Sequence, residues 1–89
     1  MKAVITVTGK DTVGIIADVS AVCAENNANI IDITQSVLDK YFAMIMLADI
    51  DSLKVSFADF ADQLSALGEK KCLQINTMHE DIFNSMHRI

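Results

Sequence analysis

The segment between two glycines near the start of the chain carries the residue types best suited to small-molecule binding. Gly14 has no Cβ, so a ligand can approach the backbone there. Amides at the start of a helix are unpaired and carry partial positive charge, which suits a carboxylate. Asp11 can accept a hydrogen bond from an ammonium group, and Asn29, beyond the next helix, offers both a donor and an acceptor. These residues predict contacts to a carboxylate and to an ammonium group.

The same residues also have structural interpretations. Asp11 or Thr12 can cap the helix that follows. Gly14 can allow a helix to pack closely on a strand, and Asn29 can complete a turn. For Asp11 the cap is the favoured interpretation, whereas for Gly14 and Asn29 the structural and the ligand-binding interpretations both stay open.

The nucleophilic and metal-ligating side chains are too dispersed for a catalytic or metal site. Cys23 and Cys72 belong to no CxxC motif, which argues against a disulfide, zinc or redox site, and both are expected in the core. His79 and His87 would lie about 12 Å apart in a continuous helix. No Ser or Cys adjoins a His with an orienting acid. We therefore expect a protein that is not an enzyme and that holds neither a metal nor a cofactor.

The composition favours one small domain that associates with a partner. Of the 89 residues, 52% are hydrophobic, which is more apolar surface than a lone domain of this size can cover. The net charge is −5, and the seven Lys and Arg residues are scattered. The adjacent pair Lys70–Lys71 is interpreted as a solvated strand start, so neither nucleic acid nor a membrane surface is an expected partner. The N-terminal residues predict no signal peptide, and we expect a cytoplasmic location.

The spacing of the apolar residues predicts the elements. Alternating and β-branched runs predict four strands, at residues 2–8, 28–38, 41–50 and 70–78. Helical spacing predicts helices over residues 15–26, from Phe57 to a stop at Gly68, and over a tail at approximately 79–89. Asp39-Lys40 is expected as a tight hairpin turn, and Ser56 as the cap of the second helix.

This order of elements predicts a ferredoxin-like α+β sandwich over residues 1–89. Right-handed crossovers give a βαββαβ fold whose four-stranded antiparallel sheet carries two helices on one face, with the first and third strands central. The other face is left open. Either Met44 and Met46 or their neighbours Ala43 and Ile45 must point there. The methionines, together with Met78 and Met86, are favoured as adaptable packing under the C-terminal helix or a second subunit.

Two segments resemble the signature of the ACT domain family. They read GKDTVGIIADV at residues 9–19 and AENNANI at residues 24–30. The family pattern runs Asp-Arg-Pro-Gly-Leu-Leu-Ala, then a helix, then Gly-x-Asn-Ile entering the second strand. Thr12 and Val13 stand where the family often has Arg and Pro, and Asn27 replaces a frequent glycine. The chain resembles small stand-alone ACT proteins of bacteria and archaea, and more weakly the ACT repeats of a glycine-cleavage repressor.

The resemblance implies a regulatory module that senses a small molecule, in this family an amino acid, as a homodimer or higher homo-oligomer. In that family the loop of one subunit faces the second strand of its neighbour, so the ligand bridges the dimer. The ligand contacts then carry over to Asp11, Thr12, Gly14, Asn29 and Ile30. The alternative is a protein–protein interaction or dimerisation module without a ligand, whose open sheet face and C-terminal helix bind another protein.

Overall fold

The chain forms one antiparallel sheet covered by helices, as seen in a computed structural model that describes residues 1–10 and 14–86. In chain order, the elements are β1 (Lys2–Lys10), α1 (Ile15–Glu25), β2 (Asn29–Leu38), β3 (Tyr41–Asp49), α2 (Phe57–Lys71), β4 (Gln74–His79) and α3 (Glu80–Met86). The order confirms the predicted βαββαβ fold with a short C-terminal helix. The rest of the predicted tail helix, with His87, lies outside the described residues.

The sheet has the strand order β2-β3-β1-β4, and every neighbouring pair is antiparallel. The first and third strands are therefore central, as predicted. Asp39 and Lys40 connect β2 to β3, and Asp39 adopts the left-handed backbone (φ 55°) that short hairpin turns require. β2 and β4 form the two edges.

The core lies between α1, α2 and one face of the sheet. Its largest fully buried side chains are Phe60, Ile5, Met44, Met46, Leu64, Val7, Val19 and Cys23. The predicted place of Met44 and Met46 on the open face is therefore wrong, because both lie under the helices. Ala43 and Ile45 alternate with them and face the other way, and Ile45 is 47% exposed. Burial raises the pKa of the Cys23 thiol to about 11, so this cysteine stays protonated.

The side of the sheet opposite α1 and α2, here called the open face, is covered only in part. α3 contacts β1 and β4. Val4 points to the open face because it alternates with core residues Ala3 and Ile5, yet it is only 4% exposed. The protein therefore uses α3 to cover one corner of its own open face. Met78 pairs with Val4 at this corner.

The end of α2 differs from the prediction. Gly68 is buried inside the helix and does not end it; α2 continues to Lys71, and the left-handed residue that follows is Cys72 (φ 60°). Lys70 and Lys71 thus form the last turn of a helix, where cations complement the helix dipole. Cys72 is exposed, so its predicted core position is wrong. The start of α2 follows the prediction, since Ser56 Oγ accepts from the Asp59 amide at 3.1 Å.

A buried asparagine ties α1 to its neighbours. Asn26 is 5% exposed, and its Nδ2 donates to Val22 O at 2.9 Å and to Gln63 Oε1 at 2.7 Å. Its carbonyl accepts from the Lys54 amide at 3.0 Å. Asn27 takes the left-handed backbone (φ 64°) that commonly follows the end of a helix. Together they end α1 and fix its orientation against α2 and the loop before it.

Within the described part of the chain, no helix combines the length and the apolar character needed to cross a membrane.

Candidate functional site

Gly14 occupies the position directly before α1. It is the N-cap residue and has a left-handed backbone (φ 86°) that residues with a Cβ rarely adopt. A Cβ placed on Gly14 would meet no heavy atom of the described residues within 4 Å. Close helix–strand packing therefore does not explain this glycine. The left-handed backbone conformation does explain it, and among the described residues no side chain at the N-cap position accepts from the first amides of α1.

The predicted cap is wrong in its position. Asp11 or Thr12 was expected to cap α1, but the N-cap is Gly14, which has no side chain to accept from the helix amides. Those amides therefore receive no cap from the N-cap position itself. Asp11 and Thr12 lie outside the described residues, so their ligand contacts stay predictions.

Cationic side chains gather at the same end of the sheet as Gly14. Lys71, in the last turn of α2, places Nζ 3.2 Å from Asp18 Oδ2 in the first turn of α1. A cavity of about 400 Å³ opens beside it, lined by Gly9, Lys10, Tyr41, Lys71 and Cys72. Sequence reasoning missed Lys71 as part of this region because it ended α2 too early. The unbroken apolar spacing of α2 through Leu67 was the signal that the helix could continue.

Asn29 is the first residue of β2, where it pairs with Asp49 of β3. It is exposed, and the left-handed turn residue is Asn27, so completing a turn does not account for Asn29. Ile30 is half-buried and packs against the core. The Ile30 side chain therefore has a structural role, and its predicted ligand contact stays a prediction.

One chain holds the two predicted halves of the site far apart. Asn29 of β2 pairs with Asp49 of β3, and Asp49 also pairs with Lys2 of β1. This row of three residues, together with α3, is here called the tail end of the sheet. The opposite row of Leu38, Tyr41 and Lys10, beside Gly14, is called the loop end. The 11 residues of α1 run between the two ends and span about 16 Å at 1.5 Å per residue. Gly14 and Asn29 of one chain therefore cannot contact the same small ligand.

The edge strand β2 is suited to pairing with another strand. It is 10 residues long, against 6 for the opposite edge β4, and it contains neither Lys nor Pro. A β-bulge interrupts its pairing with β3 between Ile30 and Asp32. Ile31 and Val37 are 47% and 55% exposed. Asp32 and the bulge are the features of this edge that oppose strand pairing, and the rest of the strand, without Lys or Pro, offers its outward backbone groups to a second strand.

The described residues hold no arrangement typical of metal binding. Among residues 1–10 and 14–86, no cluster of three or more His, Cys, Asp or Glu side chains could hold a metal ion. His79 instead stacks on Phe57, with ring centroids 4.0 Å apart and planes inclined by 20°. Its ring belongs to the packing between β4 and α2.

Comparison with known proteins agrees with the fold and the loop motif. The family model described as the ACT domain matches residues 2–77. A UPF0237 protein of Methanocaldococcus jannaschii is 51% identical over 88 residues, covering 99% of this chain and 98% of its own. The ACT domain protein from Streptococcus pneumoniae superimposes with a TM-score of 0.80 at 43% identity over 93% of each chain.

A more distant structural match, a putative glycine cleavage system transcriptional repressor, has a TM-score of 0.70 at 27% identity, covering 85% of this chain and 43% of its own. These similarities support a regulatory role for the chain. The family match over residues 2–77, together with relatives similar over nearly the whole length, shows that this chain belongs to the ACT domain family.

Proposed function

We propose that the chain is a regulatory domain that binds an amino acid as a homodimer, with the ligand between the start of α1 in one subunit and the start of β2 in the other. The observation that carries this proposal is the placement of Gly14 and Asn29 at opposite ends of the sheet. A site that uses both needs a second copy in the reverse orientation. The role is non-catalytic and cytoplasmic in this proposal.

Antiparallel pairing of β2 with its copy supplies that orientation. A two-fold axis normal to the sheet at the middle of β2 would join the two sheets edge to edge. It would bring the tail end of one subunit beside the loop end of the other, so Asn29 would approach the partner's α1. Symmetry makes this arrangement occur twice, which gives two equivalent sites.

The charges at the two ends match the two charged groups of an amino acid. The loop end offers the first amides of α1 together with Lys10 and with Lys71, which also pairs with Asp18, and these groups favour a carboxylate. The tail end of β2 and β3 carries Asp32 and Asp49, which favour an ammonium group. The zwitterion would thus lie between unlike ends of two subunits. Exposed Ile31 and Val37 at the seam supply apolar contact for a side chain.

Ligand binding at a shared seam couples the ligand to assembly. A ligand that binds only the dimer stabilises it by mass action, by about 2.7 kcal/mol at a free concentration of 100 Kd. The stabilised dimer would then present a surface that a regulated protein partner recognises. This is how a domain without catalytic residues can report an amino-acid concentration.

Replacement of Asn29 by Ala tests the proposal. In a thermal-shift screen of the twenty amino acids at millimolar concentration, we expect at least one to raise the Tm of the unaltered chain. Asn29→Ala should lose that rise while its Tm without ligand changes by less than about 4 °C, because Asn29 is exposed. Asn76→Ala, an exposed asparagine on the opposite edge strand β4, is the matched control and should keep the rise.

Two results would contradict the proposal. One is the absence of a shift with all twenty amino acids. The other is a shift that Asn29→Ala and Asn76→Ala retain equally. Native mass spectrometry of the purified protein complements the screen, since it would detect a co-purified amino acid and give the number of subunits that hold it.

A further inference from the structure

We propose that the open face of the sheet is a second self-association surface, on which α3 of one copy lies over the loop end of another copy. This surface is separate from the β2 edge and does not require the amino acid. Its occupant is a second molecule of the same chain, in the reverse orientation. The inference rests on α3, on a groove at the loop end and on the distribution of charge between the two ends.

α3 has apolar residues that its own sheet leaves exposed. It lies beyond residues 2–77, which match the family model. Ile82 and Met86, one helical turn apart, are 51% and 65% exposed, whereas Phe83 is half-buried. The outer side of α3 therefore offers apolar side chains to a second molecule.

A groove at the loop end of the open face can receive such side chains. It encloses about 400 Å³ and is lined by Thr8, Gly9, Ser36, Tyr41, Phe42 and Ala43. Most of these side chains are small, and Tyr41, 54% exposed, forms a wall. Ile45, 47% exposed, lies next to the groove at the middle of β3. The apolar part of the open face thus extends from the area under α3 towards the loop end.

Charge selects the orientation of the second copy. The tail end carries five carboxylates, from Asp32, Asp49, Asp51, Glu80 and Asp81, beside the Lys2 side chain and the N-terminal ammonium, which pairs with Asp51. Among the described residues, the loop end carries two lysines, Lys10 and Lys40, and one carboxylate, Asp39 of the hairpin turn, so its balance is positive where that of the tail end is negative. A two-fold axis that crosses the strands between the two sheets places the tail end of each copy on the loop end of the other. An axis along the strands would instead place carboxylates on carboxylates.

The two proposed contacts are compatible with one closed assembly. The axis of the β2 pairing is normal to the plane of the sheet. The axis of the open-face contact lies parallel to that plane and runs across the strands. Two such perpendicular axes generate a tetramer of four equivalent subunits. If only the open-face contact forms, the assembly is a dimer, so loss of this contact halves the mass in either case.

The test measures the mass of the full chain in solution by size-exclusion chromatography with light scattering. We expect Met86→Lys to halve the mass, because a cation would replace an apolar side chain in the contact while suiting the C-terminal end of α3. Asn84→Lys, exposed on the same helix, is the control and should leave the mass unchanged. Circular dichroism of each variant verifies that the helices and strands remain.

A charge exchange tests the orientation. Lys10→Glu with Lys40→Glu should halve the mass, and addition of Glu80→Lys and Asp81→Lys in the same chain should restore it. The proposal would be overturned if Met86→Lys and the Lys10→Glu, Lys40→Glu double variant both kept the mass of the unaltered chain. A monomeric unaltered chain would overturn it as well. A quadruple variant that stays at half mass would overturn the orientation. Failure of the amino-acid screen leaves these masses unaffected, so the two proposals fail separately.

Discussion

Asn26→Asp is expected to lower the free energy of unfolding by about 3 kcal/mol at neutral pH. The Asn26 amide is almost completely buried and donates from Nδ2 to both Val22 O and Gln63 Oε1. A carboxylate has no hydrogen to donate, so it would face the Val22 carbonyl as a second acceptor. The exposed Gln63 amide can turn to donate to it, which relieves one of the two lost hydrogen bonds. Denaturant unfolding monitored by circular dichroism measures the difference.

The loss of stability in this variant should depend on pH. Burial beside a carbonyl would raise the pKa of the new carboxyl in the folded chain above its value in the unfolded chain. The destabilisation is then largest above the folded pKa and becomes smaller as the pH falls through it. Asn27→Asp is the control, because Asn27 is exposed and Asp tolerates its left-handed backbone. Equal stability of the two variants at pH 7 would contradict the structural role of Asn26.

Gly68→Ala is expected to lower the free energy of unfolding by about 2 kcal/mol, although alanine favours helices more than glycine does. A Cβ at Gly68 would lie 2.8 Å from Leu73 O, a backbone atom, and 3.1 Å from Ile75 Cγ1. The Leu73 amide also donates to Gly68 O at 2.7 Å. To admit the methyl group, α2 must move away from the start of β4, which would lengthen this hydrogen bond and loosen the packing of Ile75.

The control for Gly68→Ala is a substitution to alanine on the exposed side of the same helix. Ser65→Ala should change the free energy of unfolding by less than about 0.5 kcal/mol. If Gly68→Ala proved as stable as the unaltered chain or more so, helix propensity would outweigh the contact. The close approach of α2 to β4 would then not be a constraint on this position.

The contrast between Gly68 and Ser56 shows what local sequence can determine. Ser56 was predicted correctly as a cap because its partner, the Asp59 amide, lies three residues away in the same helix. Gly68 was predicted as a helix stop because glycine commonly follows helix ends. The reason for Gly68 is instead its distance to Leu73 O and the Ile75 side chain, which depends on how the chain returns as β4. The same error moved Lys71 and Cys72 from a helix end into a strand.

The third strand illustrates a second limit. Its alternation was clear from the sequence, but both of its faces are apolar, so alternation alone did not decide which face lies under the helices. Register settles the question, since Met44 and Met46 lie opposite Val7 and Ile5, which are both in the core. The choice depends on the register between β3 and β1, which are distant in sequence. The residues of β3 alone carry little information about that register.

The ligand contacts of the candidate site stay predictions, but the structure shows where two of its residues lie. The sequence offered ligand access or close packing as reasons for Gly14, and neither anticipated its left-handed backbone angle. The position of Asn29 at the start of β2 was predicted correctly. The distance between Gly14 and Asn29 could not be read from residue types, because it depends on α1 running the full length of the sheet. That distance is what makes a shared, two-subunit site the central claim.

The most direct test of that claim mixes two variants. Gly14→Val alters the loop half of the site, because a β-branched residue disfavours the left-handed backbone (φ 86°), and Asn29→Ala alters the strand half. Each variant alone should fail to bind the amino acid that gives the largest thermal shift. After subunit exchange, each mixed dimer should contain one unaltered site, so titration calorimetry should recover about a quarter of the binding sites of the unaltered protein. No recovered binding in the exchanged mixture, with mixed dimers verified by native mass spectrometry, would contradict a site shared between subunits.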